Sequence, residues 1–417
     1  MKNFLHCFLV LLSFAVLCGC GDSKSKVSNL DSRVVPIFEK KVLLSEENYS
    51  FTDTYDLYLP VSDGWIALAQ GYNFEQGYSY SIIVKLDEQG SKIWETSFGN
   101  NIDGAYYDRY GSVIEVSDGY IVGGGATDLT LKCDKYGNVV WAKELGIRAI
   151  IADDAGFVGV GGGKTPSVNT IFIAQYDIDG NVIWEKPLGD DLKLFQYALS
   201  VDIGQILKVP NGYLLVGGWP TLGLDVPPNN AWDGLDLIPH PGDYHYFIAS
   251  IGADGTFRWQ RTMKMNVGNV AVLKDGIIAL GQIYDADYNP IPVVEKYDFE
   301  LNSIWKRRYE KYDGVGTGFY SVVATGGDVF VFGSIFWGRT AFILGINPAN
   351  GKLFWEDEFQ GQYTDEYGNK CITDYSGLFI TGQYLSLLEF DHSFGKSGTY
   401  AEYQLKNINL RQYSLSN

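Results

Sequence analysis

Apolar and polar residues alternate in short bursts along this chain, and a glycine-containing turn cuts each burst off after a few positions. Such a period of two, rich in Val, Ile, Tyr and Phe, predicts β-strands. The bursts are grouped. Each group opens with a short strand and a tight turn: VSDGW at 61, VSDGY at 116, DDAGF at 153, VPNGY at 209, LKDGI at 273, ATGGDVF at 324 and DYSGL at 374. A glycine-rich strand follows, then a third strand ending in Asp or an equivalent, another turn with Gly, and a fourth strand carrying Trp. These last stretches are LDEQGSKIW to Trp94, CDKYGNVVW to Trp141, YDIDGNVIW to Trp184, IGADGTFRW to Trp259, YDFELNSIW to Trp305 and INPANGKLFW to Trp355. The seventh, FDHSFGKSGTY, has Tyr400 instead.

Four short strands per unit of roughly 40 to 50 residues predict the blades of a β-propeller. One twisted sheet cannot cover both of its own faces. Packing sheets in a ring covers them and leaves few free edges. A Trp at a fixed place in the fourth strand suits the gap between neighbouring blades, where a large flat side chain has most area to bury. The Asp and Gly before it supply the side-chain acceptor and the positive φ of a tight turn. The expected fold is therefore an all-β propeller of seven four-stranded blades. Its ring is expected to close by pairing of the N- and C-terminal strands, the last blade being completed either by VVPIFEKKVL at 34–43, which places Phe38 in the Trp position, or by TYAEYQL at 399–405, which can fill the same role.

The four-residue step from Gly to Trp recurs at Gly90–Trp94, Gly137–Trp141, Gly180–Trp184, Gly255–Trp259 and Gly351–Trp355. It resembles the quinoprotein-type repeat of PQQ-like propellers over residues about 45 to 405. The resemblance implies a fold, since such repeats serve both enzymes and scaffolds. Quinoprotein dehydrogenases usually carry adjacent cysteines near the cofactor. This chain has none beyond its leader, so no cofactor is expected.

One stretch imitates a nucleotide site. GFVGVGGGKT at 156–165 ends in Gly-Lys-Thr, but the required glycine five residues before Gly163 is Val158. The following NTIFIAQYD reads as a strand and not as the helix a phosphate-binding loop needs. The stretch is a blade strand with siblings at 119, 212 and 276.

The ends carry different information. Lys2 precedes the apolar run FLHCFLVLLSFAVL, which is too short for a comfortable membrane span and looks like a signal-peptide core. The LCGC at 17–20 resembles a bacterial lipobox, which implies lipidation of Cys20. Residues 1–19 are thus expected to be a lipoprotein signal peptide. Residues 20–33 would be the lipidated Cys and a polar tether, GDSKSKVSNLDSR, and 34–417 a single propeller domain. The thirteen tether residues reach roughly 45 Å if extended. Gly21 after the cysteine implies, by the enterobacterial rule, an address at the outer membrane.

The chain carries 32 basic and 50 acidic residues, and loss of the leader leaves 31 basic, net −19. Such a surface disfavours nucleic acid and anionic lipid, so contact with the membrane is expected through the lipid alone. Cys133 occupies a strand position held elsewhere by Leu, Tyr or Ile and reads as a small buried hydrophobe. No disulfide is expected between it and Cys371.

Candidate binding residues come from strand parity. In an antiparallel meander the second-to-third connection lies on the same side as the connection between blades. The opposite side has only short turns. Trp219, Trp232 and Trp337 stand outside the repeat positions, and all fall in second-to-third connections. Trp219 and Trp232 belong to an insertion at 219–243. The between-blade loops add Tyr106, Tyr107, Asp108, Arg109, Tyr312 and Asp313, and the insertion's end adds His240, Asp243 and His245. Exposed aromatics on a rigid scaffold can anchor a protein partner or stack on a glycan. HPGDYH matches no zinc spacing, the turn acids make no EF-hand loop, and there is no Gly-x-Ser-x-Gly. No catalytic residue and no metal ligand is assigned. The expected role is a non-catalytic binding or scaffold module for an envelope protein or a glycan, the alternative being a carbohydrate-active site at the propeller mouth.

Overall fold

The computed structural model describes most of residues 58–360 and, outside them, the strands 26–28, 34–43, 363–364, 370–371, 378–381, 384–394 and 403–415. Within 58–360 the segments 74–77, 89–90, 99–111, 124–128, 163–170, 190, 193–201, 221–243, 285–289, 313–317, 326 and 336–339 are outside the description.

Two strands open the chain, β1 (Lys26–Ser28) and β2 (Val34–Leu43). Blade one holds β3 (Tyr58–Val61), β4 (Gly64–Asn73), β5 (Tyr78–Leu86) and β6 (Lys92–Phe98). Blade two holds β7 (Ser112–Val116), β8 (Gly119–Gly123), β9 (Leu129–Asp134) and β10 (Val139–Glu144). Blade three holds β11 (Ile147–Asp153), β12 (Gly156–Gly161), β13 (Phe172–Tyr176) and β14 (Val182–Pro187). Blade four holds β15 (Asp202–Val209), β16 (Gly212–Pro220), β17 (Tyr244–Gly252) and β18 (Phe257–Thr262). Blade five holds β19 (Asn266–Leu273), β20 (Gly276–Tyr284), β21 (Pro290–Tyr297) and β22 (Ser303–Arg308). Next come β23 (Gly318–Thr325), β24 (Asp328–Ile335), β25 (Thr340–Ile346) and β26 (Leu353–Gln360). A two-stranded ribbon, β27 (Tyr363–Thr364) with β28 (Lys370–Cys371), precedes β29 (Leu378–Thr381), β30 (Tyr384–Phe394) and β31 (Tyr403–Leu415).

The all-β propeller class stands, but the expectation of seven four-stranded blades is corrected to six. Blades one to five are four-stranded, and the closing blade is ordered β2-β31-β30-β29. The sheet of β23–β26 has five strands, because β1 pairs with the free edge of β26. An outermost strand presents unpaired N–H and C=O groups, and any extended segment within reach can take them up. That segment lies within the stretch expected to be a tether.

The last repeat is also corrected. DYSGL was expected to join the first two strands of its unit, with FDHSFGKSGTY supplying the third and fourth. Instead β29 begins at Leu378, residues 384–394 form the second strand, and the fourth strand is β2 from the other end of the chain. The register of β2 on β31 slips between Pro36 and Phe38, opposite Tyr413 and Gln412. The register of β6 on β5 slips in the same way just before Trp94. Phe38 thus holds the Trp place by backbone register, and Tyr400 lies outside the described residues.

The cores sit between blades. Val61, Ile66, Leu68 and Ile83 of blade one pack with Val113, Tyr120, Val122, Leu131 and Cys133 of blade two. Corresponding clusters join each next pair, down to Phe330, Trp355 and Leu385 at the closing blade. Burial falls from the ring outward. Every residue of β8 and β12 is buried, whereas β14 is exposed except for half-buried Trp184. GFVGVG, the phosphate-loop imitation, is this buried β12, paired on both sides.

Trp94, Trp141, Trp184 and Trp305 each clamp the next blade. The indole N–H groups of Trp94, Trp141 and Trp305 donate to the carbonyls of Lys135, Ile178 and Pro348 at 2.8, 3.2 and 2.9 Å. All three acceptors lie in the turn before the next blade's fourth strand. Asp177 builds that turn, its carboxylate accepting from the Asp179 and Asn181 N–H groups at 2.9 and 2.8 Å. The glycine there has two reasons. Gly255 has φ +80°, and a Cβ on it would stand 2.4 Å from Cζ3 of Trp184. Only glycine takes up this backbone without strain and lets an indole lie flat on it. Blade five departs from the rule, since Leu301 occupies the place at φ 60° and is buried against its neighbours.

Candidate binding face

Strand direction sorts the surface. All blade pairings are antiparallel, so the first-to-second and third-to-fourth turns share one side, the short-turn face. The second-to-third and between-blade connections share the other, the long-loop face.

The short-turn face is laced by ion pairs. Lys85 of β5, with 2% of its side chain exposed, reaches Asp63 at 2.8 Å. Lys132 does the same to Asp118 at 2.8 Å and Lys296 to Asp275 at 2.7 Å. In each case the lysine stands directly opposite the blade Trp and the acid lies in the first turn. The Lys296 hydrogen bond holds the Asp275 carboxyl below the usual range. The stretches KLD, KCD and KYD preceding three third-strand turns are the legible trace of this device, which reading for strands and turns alone passes over. Desolvated lysines paired in this way tie a turn to its own sheet. They offer nothing to a substrate.

Two of the proposed residues meet on the long-loop face. Trp219 is the penultimate residue of β16, and the backbone register sets it opposite His245 of β17, with Pro220 opposite Tyr244. His245 is half-buried. The second strand therefore runs to Pro220, and the rest of the insertion, 221–243, is outside the described residues. Tyr106, Tyr107, Asp108, Arg109, Trp232, His240, Asp243, Asp313 and Trp337 are outside them as well.

Tyr312 belongs to a between-blade connection of the same face but turns inward, at the junction of blade five with the five-stranded sheet. A single 3-10 turn, Glu310–Tyr312, follows β22 and sinks the Tyr312 ring fully against Phe342, with centroids 4.1 Å apart. Its hydroxyl donates to Glu356 at 2.8 Å and to Glu358 at 3.2 Å. Burial, reinforced by the Glu356 carboxylate, drives the phenol far above its ordinary range. Lys311 bridges the same two carboxylates, at 2.9 Å from Glu356 and in closer contact with Glu358. Burial opposes the Lys311 charge, but the hydrogen bonds to Glu358 and Glu356 outweigh it and raise its pKa. Tyr312 is thus a packing and hydrogen-bonding residue, and Lys311, Glu356 and Glu358, which no repeat logic singles out, complete its cluster. Alternating acids along WEDE in the fourth strand, facing an aromatic-rich loop, were the available signal.

Among the described residues no group of three or more His, Cys, Asp or Glu side chains is placed to hold a metal ion. Cys133 is fully buried, and burial, with Asp134 beside it, pushes its thiol up to about 12, so it is not a nucleophile at neutral pH.

No family model matches the chain, and no curated protein does. Solved structures do resemble it. BamB from Moraxella catarrhalis aligns with TM-score 0.45 and 12% identity, over 91% of this chain and 99% of that one. The β-propeller domain of the Trilobed protease from Pyrococcus furiosus, described as having an open velcro topology, aligns with TM-score 0.40 and 10% identity over 91% and 97%. BBS1N, solved in complex with ARL6DN, aligns with TM-score 0.43 and 11% identity over 89% and 98%. At such values no activity, ligand or partner carries over to this chain.

Proposed function

We propose that this protein is an envelope lipoprotein whose propeller binds a partner through its long-loop face without catalysing a reaction. The observation that carries the reading is the placement of tryptophan. Of the Trp residues outside the blade positions, Trp65 aside, Trp232 and Trp337 belong to second-to-third connections and Trp219 stands at the end of the second strand that leads into one, and strand alternation sends those connections to one side. Trp65 is fully buried in β4. A rigid ring with aromatic loops on one side and short, internally paired turns on the other suits recognition at the loops. The LCGC at 17–20 supports anchorage through Cys20 at the outer membrane.

The test is affinity capture from native envelope, with a glycan array in parallel, using the wild type and the Trp219→Ala, Trp232→Ala and Trp337→Ala variants. Each substitution is expected to weaken binding by about 1–3 kcal/mol with little change in unfolding midpoint. Loss of stability equal to that of Trp184→Ala would make these residues packing and refute the face. A glycan signal lost in the same variants would select carbohydrate as the ligand. For the anchor, labelled fatty acid should enter the wild type and be absent from Cys20→Ala.

A further inference from the structure

We propose that β1 orients the propeller, holding the long-loop face toward the membrane so that its partner is one seated in that same membrane. The inference rests on the lipoprotein reading above and adds a direction to it. The argument is one of chain polarity. β26 is a fourth strand, entering from the INPANGK turn on the short-turn face and ending at Gln360 on the long-loop face. β1 runs antiparallel to it, with Lys26 opposite Glu358, Val27 opposite Asp357 and Ser28 opposite Glu356. The chain therefore reaches Lys26 from the long-loop side and moves away from that side through Ser28.

Length then decides how much freedom is left. Were the whole stretch after Cys20 unpaired, its thirteen residues could reach roughly 45 Å, and either face could meet the bilayer. With β1 docked, only five residues, 21–25, separate Cys20 from Lys26, and five residues span at most about 17 Å. A lipid on Cys20 is then confined close to the rim of one face.

The edge that β1 uses is also held in place. Glu356 and Glu358, the register partners of Ser28 and Lys26, have their carboxylates fixed by Lys311 and Tyr312. Tyr312 is itself locked between blades. The receiving strand is thereby tied to blade five, so a pull on β1 is passed to two sheets. The direction is not electrostatic, since a net charge of −18 gives the chain no attraction to anionic lipid.

The test uses the full-length lipidated protein in phosphatidylcholine vesicles containing a headgroup-spin-labelled lipid. A fluorophore is placed on the long-loop face through Glu310→Cys or on the short-turn face through Asp179→Cys, both exposed positions, in a Cys371→Ser background. Quenching is expected to be several-fold stronger at 310 than at 179. Val27→Pro removes a backbone donor from β1 and should erase the difference, while a Lys26→Cys/Glu358→Cys disulfide should preserve it. Equal quenching at the two positions, or stronger quenching at 179, overturns the orientation while leaving lipidation intact. Absence of fatty-acid label from the wild type overturns the lipid reading, and the orientation falls with it.

Discussion

Replacing Gly255 by Ala isolates the contact that joins one blade to the next. Gly255 has φ +80°, and an added Cβ would lie 2.4 Å from Cζ3 and 2.9 Å from Cε3 of Trp184, and 2.9 Å from Cγ of Lys186. Holding an L-residue in the left-handed region costs about 1–2 kcal/mol. Displacing the indole is an overpacking event worth about 1–3 kcal/mol. Stiffening the unfolded chain gives back about 0.4–1 kcal/mol. The net expectation is a loss of about 1–4.6 kcal/mol, read as a lower guanidinium midpoint by circular dichroism. Gly204→Ala is the matched control. A Cβ there meets nothing within 4 Å and no left-handed φ is involved. Only the unfolded-state effect remains, so stability should be unchanged or rise by up to about 1 kcal/mol. The steric share can be separated further. In a Trp184→Ala background the Gly255→Ala cost should shrink to the backbone share, a coupling of about 1–3 kcal/mol. If Gly255→Ala shifts stability by less than about 0.5 kcal/mol, as an ordinary surface change would, the clamp between blades does not exist as described.

Three further outcomes follow from the same geometry. Trp355 is fully buried whereas Trp305 is only partly so. Thermal and chemical unfolding should therefore give Trp355→Ala the full loss of about 3–5 kcal/mol and Trp305→Ala clearly less. Leu301→Gly restores the residue that other blades use and relieves about 1–2 kcal/mol of backbone strain, but it also empties a site whose loss costs about 2–5 kcal/mol. The variant should be less stable, and a stabilised one would refute the ranking. Hydrogen bonds from Asn181 hold the Asp177 carboxyl below the usual range. A depressed folded pKa gives stability that is present above about pH 4, the unfolded value, and is lost as pH falls through the folded one. Asp177→Asn should flatten that acid limb in pH-dependent denaturation and lower stability at neutral pH toward the wild type's acid-side value.

Local chemistry made much of the architecture legible. The turns D-K-Y-G-N and D-I-D-G-N are closed by bonds spanning no more than four residues, from Asp134 to Asn138 and from Asp177 to Asn181. Strand alternation is likewise a property of neighbours, which is why the two faces and the positions of Trp94, Trp141 and Trp184 could be read directly. Of the proposed site residues that are described, Trp219 and His245 stand opposite each other in backbone register across the β16–β17 pair, and Tyr312 is buried between blades. What needed the tertiary structure was the identity of partners far apart in the chain. A Trp appears in sequence as a filler of its own blade's edge, yet Trp141 is satisfied by Ile178 and the floor of Gly180 in the next blade. Tyr312 reads as a loop aromatic, and only the ring geometry brings it onto Glu356 and Glu358. Phe38 marked 34–43 as a candidate fourth strand of the closing blade, but nothing in KVS marked it as the fifth strand that β26 takes. That last pairing is chosen by which strand edge remains open once the ring has formed. An open edge accepts any extended backbone, so side-chain pattern along the chain carries no mark of it.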